Sequence, residues 1–181
     1  MTRGLNPAIG VWRVARGRAD GMLRFGGTTQ SFLASLAPLI AFPLVGAMLV
    51  LLREGLLPAL SLLAVTIIAQ LAPPVLSHAL AQRWGREHLW LHYGTAYNWC
   101  YWAIPVVATL LMTLFGTGLR AGLPPDVAIQ GFFVALAAYS LWLHWFIARH
   151  GLSLTRWRAA LLVVLVNGGT LLLAFGPNLL A

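Results

Sequence analysis

Lysine is missing from this chain of 181 residues: all twelve basic residues are arginine. A lysine Schiff base and a phosphate loop of the GxxxxGK[ST] kind are therefore excluded. Acidic residues are almost as scarce, with Asp and Glu numbering four in all. Ser77 and His78 adjoin with no acid placed to orient the imidazole, and no pair of carboxylates is available, so triad and paired-carboxylate mechanisms lack parts. Cysteine occurs once, as Cys100, which rules out an intramolecular disulfide and leaves the redox compartment unspecified. Charged residues of either sign make up only 9% of the chain, whereas a soluble domain carries about 25%. That is too little charge to cover a water-exposed surface, so the main solvent is lipid. The net charge of +8 would suit nucleic acid, but the arginines fall outside long apolar runs, where membrane topology explains them. No nucleic-acid partner is expected.

What the chain does have is hydrophobic length: 60% of it is apolar and its mean hydropathy is +0.81. Five uncharged runs fit a hydrocarbon core of about 30 Å, at approximately 32–52, 56–76, 97–115, 127–147 and 159–175. The expected fold is all-α, a polytopic transmembrane bundle over 31–181 preceded by a basic tail at 1–30. The first run starts near Phe32 and exceeds the roughly 7–15 residues of a signal-peptide core, so it reads as an uncleaved anchor. Asn6-Pro7 has the form of a helix start, an Asn cap with Pro at the first helical position. The AIGVWRVAR that follows either lies on anionic lipid as an interfacial helix or is a loose basic tail, as the downstream glycines Gly17, Gly21, Gly26 and Gly27 suggest. Pro73-Pro74 is expected to end the second span, and Asp126 to cap the fourth.

Arginine distribution orients the bundle. With a cytoplasmic N-terminus, that side collects Arg3, Arg13, Arg16, Arg18 and Arg24, then Arg83 and Arg86, then Arg149, Arg156 and Arg158, ten in all. The opposite side holds two, Arg53 and Arg120. The bias alternates across every connection and predicts N-in, C-out, in the inner (cytoplasmic) membrane of a bacterium.

Inside the spans there is no Asp, Glu or Arg. Buried ionisable groups mark ion pathways and proton relays, so a proton-coupled pump is disfavoured while a passive oligomeric pore stays open. Uncharged polar residues such as Thr66, Gln70, Asn98, Ser140 and Thr170 suit hydrogen bonding between helices or to backbone. Gly131, Ala135 and Ala138 give the fourth helix a small-residue face. Asn167, Gly168 and Gly169 interrupt the fifth span, either as a close-packing notch or as an unwound point facing a cavity.

The stretch from Ser77 to Trp102 concentrates three of the five histidines, four of the eight tryptophans and the cysteine. His88 and His92 are four apart and share a helix face. With His144 they could ligate haem or a metal, although no carboxylate or cysteine stands at ligand spacing and no cofactor is the leading expectation. Trp84, Trp90, Trp99, Trp102 and Trp145, with Arg83 and Arg86, suit an interfacial belt or a surface that meets lipid or another membrane subunit. An Arg83–Glu87 pair at i, i+4 would sit among them.

The layout resembles the Yip family of small polytopic membrane proteins. The resemblance lies in the five spans and in YSLWLHWFIARHGLSLTRWRAA, residues 139–160, similar to that family's tyrosine-rich helix followed by a Gly-Leu, Ser, basic-Ala pattern. The Asp-Leu-Tyr-Gly-Pro element of its eukaryotic members is absent, so a trafficking or small-GTPase role is not implied. The resemblance implies a membrane-organising or accessory role without catalysis. Beside it stand a subunit of a redox or quinone-linked complex using His88, His92 and His144, and an oligomeric pore.

Overall fold

A computed structural model describes the backbone of residues 5–179 and the side chains of 5–41 and 43–174; Arg3 and Ala181 lie outside it. It is all-helical, with no strand among the described residues. The elements are α1 (Pro7–Val14), a 3-10 helix (Ala19–Arg24), α2 (Thr29–Glu54), α3 (Leu56–Arg83), α4 (Glu87–Cys100), α5 (Ala103–Arg120), α6 (Pro125–Gly151) and α7 (Arg156–Leu179). Five segments are long and apolar enough to cross a membrane: α2, α3, α4 with α5, α6, and α7.

Within these segments the usual burial rule is turned outward. Leu44, Val45, Met48, Leu49, Leu57, Leu60, Val106, Leu110, Phe133, Val134, Leu171 and Leu172 are all exposed, while Ser35, Ser77, Thr95, Asn98 and His144 are buried. Large apolar side chains facing outward on every span leave lipid as the solvent they suit.

Several boundaries differ from the sequence expectation. Pro73 and Pro74 lie inside α3, which continues to Arg83. Proline removes one ladder donor each, but flanking contacts with α2, α7 and α4 hold the helix together. Asp126 sits in the first turn of α6 and Pro124 takes the cap position. Helix α7 runs unbroken through Asn167, Gly168 and Gly169. Of the two readings of that site, the geometry is a notch: a Cβ on Gly169 would meet Leu76 Cδ1 of α3 at 2.8 Å, whereas one on Gly168 meets nothing within 4 Å.

The third segment is two helices. Pro105 has no N–H, so the Tyr101 carbonyl lacks its α-helical donor and accepts the Ile104 N–H instead, at 3.1 Å. The chain turns at Tyr101-Trp102. Helix α4 packs against α1, α2, α3 and α6, while α5 beyond the turn packs substantially against α6 alone. Gly131 admits the Phe115 ring where α5 meets α6, its would-be Cβ lying 2.6 Å from Phe115 Cε1.

The N-terminal segment is folded onto the bundle. Asn6 caps α1 by accepting the Ile9 N–H at 3.2 Å. Val14, Met22 and Phe25 are buried in the same cluster as Tyr93, Ile147 and Leu152. Tyr139 donates to the Ala15 carbonyl at 3.1 Å, and His92 Nε2 donates to the Met22 carbonyl at 2.9 Å. A carboxylate clamp closes the turn, with Asp20 accepting from Arg13 at 2.7 Å and from Arg18 at 3.2 Å. Desolvation alone would raise the Asp20 carboxyl; the hydrogen bond and charge of Arg18, joined by those of Arg13, outweigh it and hold the group below its ordinary value. Helix alternation therefore brings Arg13, Arg16, Arg18, Arg24, Arg83, Arg86, Arg149, Arg156 and Arg158 to one end, with Arg53 and Arg120 at the other.

Candidate functional site

A polar chain runs from α4 through α6 to α7, linking Tyr93, His144 and Asn167. Tyr93 and Tyr97 are one turn apart on α4, and Tyr101 follows at the same spacing where the helix ends. His144 lies seven residues from the arginine-rich end of α6, about 10 Å along the helix axis. Asn167 lies eleven residues into α7, about 16 Å.

Hydrogen bonds fix the tautomer of His144. Asn167 Nδ2 is 2.7 Å from the Val163 carbonyl, which only accepts, so the amide nitrogen must face that way. The same nitrogen is 3.0 Å from His144 Nδ1, which therefore accepts. The ring proton then sits on Nε2 and is donated to Tyr93 Oη at 2.9 Å. Both nitrogens of His144 are engaged within the protein, and its ring packs tilted against Tyr97 with centroids 4.7 Å apart. A parallel arrangement holds α2 to α4, where Asn98 donates to Ser35 Oγ at 2.9 Å. Ser77 adds a third junction, accepting from Trp90 Nε1 at 3.1 Å and donating to the Pro74 carbonyl at 3.1 Å.

Beside the histidine is a cavity of about 230 Å³ whose walls include Tyr97, Tyr101, Ser140, Leu143, His144 and Asn167. A second of about 140 Å³ lies on the other face of the same two tyrosines and reaches Gln70 and Asn98. Tyr101 is half exposed and lines both spaces. Neither cavity is lined by a charged residue.

The residues singled out from the sequence separate into different places. His88 is exposed near the start of α4, His92 is held by the Met22 carbonyl, and His144 is buried with Tyr93. The three do not converge, and no group of three His, Cys, Asp or Glu side chains placed to hold a metal occurs among the described residues. Arg83 is exposed, and Trp84 and Arg86 lie in the short turn after it. The Arg83–Glu87 pair does not form, because Gly85 at φ 67° reverses the chain between them. Glu87 instead accepts from Gln82 at 3.1 Å and lies 3.6 Å from His78.

Trp90 is a packing ring, 4.9 Å from Phe32 and 4.7 Å from His78 between centroids. Trp99 packs on the buried cluster, and Trp102 sits half-buried at the α4–α5 turn. Trp145 donates to the Arg156 carbonyl at 3.1 Å and carries the Arg149 guanidinium 5.4 Å from its ring. Among the uncharged polar residues, Thr66, Thr109, Thr113, Ser140 and Thr170 bond back to carbonyls of their own helices. Asn98 and Asn167 instead reach side chains on a neighbouring helix, Ser35 on α2 and His144 on α6.

The cavity itself was missed by sequence reasoning, which singled out tryptophans and histidines as site residues and not Tyr93, Tyr97 and Tyr101. Their spacing of four was the available signal, since it aligns three phenols on one helix face. Comparison with family models, with curated protein sequences and with solved structures yields no match for this chain.

Proposed function

We propose that the chain is a multi-pass protein of a bacterial cytoplasmic membrane, N-terminus inside and C-terminus outside, with a non-catalytic accessory role exercised through helix and lipid contacts. The observation that carries this reading is the two-sided character of α1. Gly10 and Val14 face the bundle and are buried, while Ile9 and Trp12, with Leu5 just before the helix, are exposed. The Arg16 guanidinium lies 4.3 Å over the outward Trp12 ring. Trp157, 86% exposed, stands at the same end between Arg156 and Arg158. Apolar rings interleaved with arginine suit the headgroup layer of an anionic leaflet. The arginine asymmetry supports a cytoplasmic side for that leaflet.

Two measurements test the reading. A periplasm-active reporter fused after Ala181 is expected to be active, and a cytoplasmic signal there refutes the topology. The fluorescence difference between wild type and Trp12→Phe, in reconstituted anionic bilayers, is expected to be quenched by lipids brominated near the headgroup. Quenching by a water-soluble agent alone refutes headgroup contact.

A further inference from the structure

The cavity beside His144 contains a donor and an acceptor that the protein leaves unused. Asn167 commits both amide hydrogens, one to the Val163 carbonyl and one to His144 Nδ1. Its Oδ1 has no hydrogen-bond partner among the described residues, and neither does Tyr97 Oη. No fully buried side-chain nitrogen or oxygen among the described residues lacks a partner. These two oxygens are therefore open to space, and the space both residues line is the cavity.

Each remaining property narrows the occupant. The walls carry no charge, and an unpaired ion at this depth would be costly, so the occupant is neutral. A cavity of roughly 150 Å³ accommodates one benzene ring, so about 230 Å³ takes a single ring with small substituents. Tyr97 and the His144 ring offer aromatic faces, which suit an aromatic guest at offset or tilted geometry. Tyr101 on the cavity wall is half exposed, and on the membrane reading its outer face meets lipid, so a lateral route suits a guest with an apolar tail. The hydrogen-bonding pattern asks for one oxygen that both donates and accepts: its O–H to Asn167 Oδ1, and its lone pair to the Tyr97 hydroxyl.

We propose that this cavity binds a neutral hydroxyarene head group carried on an apolar tail, of the alkylphenol or hydroquinone class. The fully oxidised quinone, which has only acceptors, leaves Asn167 Oδ1 unpaired and is the poorer fit. Binding alone is proposed, with no electron transfer. The inference rests on the membrane reading above, and the test separates the two.

The experiment uses the full chain in lipid nanodiscs, with vesicle flotation as an independent check of insertion. Protein that fails to float refutes the membrane reading; protein that floats tests the binding. Ring-fluorinated 4-hexylphenol is titrated and followed by fluorine NMR, against protein-free nanodiscs as the partition baseline. Saturable 1:1 binding is expected, about tenfold weaker for the matched 4-hexylanisole, which keeps ring and tail but has no O–H to give. Tyr97→Phe, which deletes a hydroxyl with no protein partner, is expected to weaken phenol binding about as much while leaving the fold intact. Ile104→Trp, on the cavity wall, fills the space and abolishes binding. Uptake that only follows the lipid baseline, as a water-filled cavity would give, overturns the proposal. So does equal affinity for phenol and anisole, or phenol binding unchanged in Tyr97→Phe.

Discussion

The His144–Tyr93 bond offers the sharpest check on how this bundle is held together. Tyr93 is 2% exposed and His144 4%, so neither partner can turn to water when the other is removed. Leaving a buried polar group unsatisfied costs about 1–3 kcal/mol in a soluble protein. In a bilayer the reference state also finds partners, and measured coupling between helices averages about 0.6 kcal/mol with a ceiling near 1.7. Tyr93→Phe strands the Nε2 proton, and His144→Phe takes one of the phenol's two partners, leaving Ser77, while keeping a ring against Tyr97. Each single variant is expected to lose about 1 kcal/mol. The double variant strands neither group and should lose less than the sum, giving a favourable coupling of about 0.6–1.7 kcal/mol. Equilibrium unfolding by SDS in mixed micelles measures all four proteins. Strict additivity, or a Tyr93→Phe protein as stable as wild type, would refute the hydrogen bond as an element of stability.

Further outcomes follow from other contacts. Gly169→Leu drives a side chain into Leu76 on α3 and should cost about 1–3 kcal/mol, while Gly168→Ala one position away should be neutral or gain up to about 1 kcal/mol from helix propensity; equal effects in SDS unfolding would refute the notch. His92→Ala loses the bond to the Met22 carbonyl and should cost about 1 kcal/mol and speed proteolysis of the N-terminal segment, whereas exposed His88→Ala should be silent. The Asp20 clamp gives a pH signature: its folded-state pKa is depressed, so its contribution is present above the unfolded value of about 3.9 and is lost as pH falls through the folded one. Proteolysis of residues 5–25 should therefore rise below about pH 4 in wild type, and Asp20→Asn should be cut readily at neutral pH with that pH dependence gone.

The sequence by itself determined that the chain is helical, how many apolar segments it has and how its arginines divide between the two ends. Those properties are one-dimensional: a run of twenty uncharged apolar residues reads the same in any tertiary context, and arginines fall where such runs stop. The α1 start was legible for a similar reason, because the Asn6 cap acts within three residues. Helix ends inside apolar sequence were less legible. Pro73-Pro74 has the composition of a stop, but packing against neighbouring helices carries α3 ten residues further.

Only the tertiary structure decided what the polar residues do. His88 and His92 share a helix face, yet one is exposed and the other is bonded to a carbonyl 70 residues away. His144 and Asn167 give no local sign of each other, and their contact depends on α6 and α7 packing side by side. In lipid, helices gain little from burying apolar surface against one another, so a few hydrogen bonds and close-packed glycines set their register. Those contacts link distant positions in pairs, and no periodicity along the chain encodes the pairing.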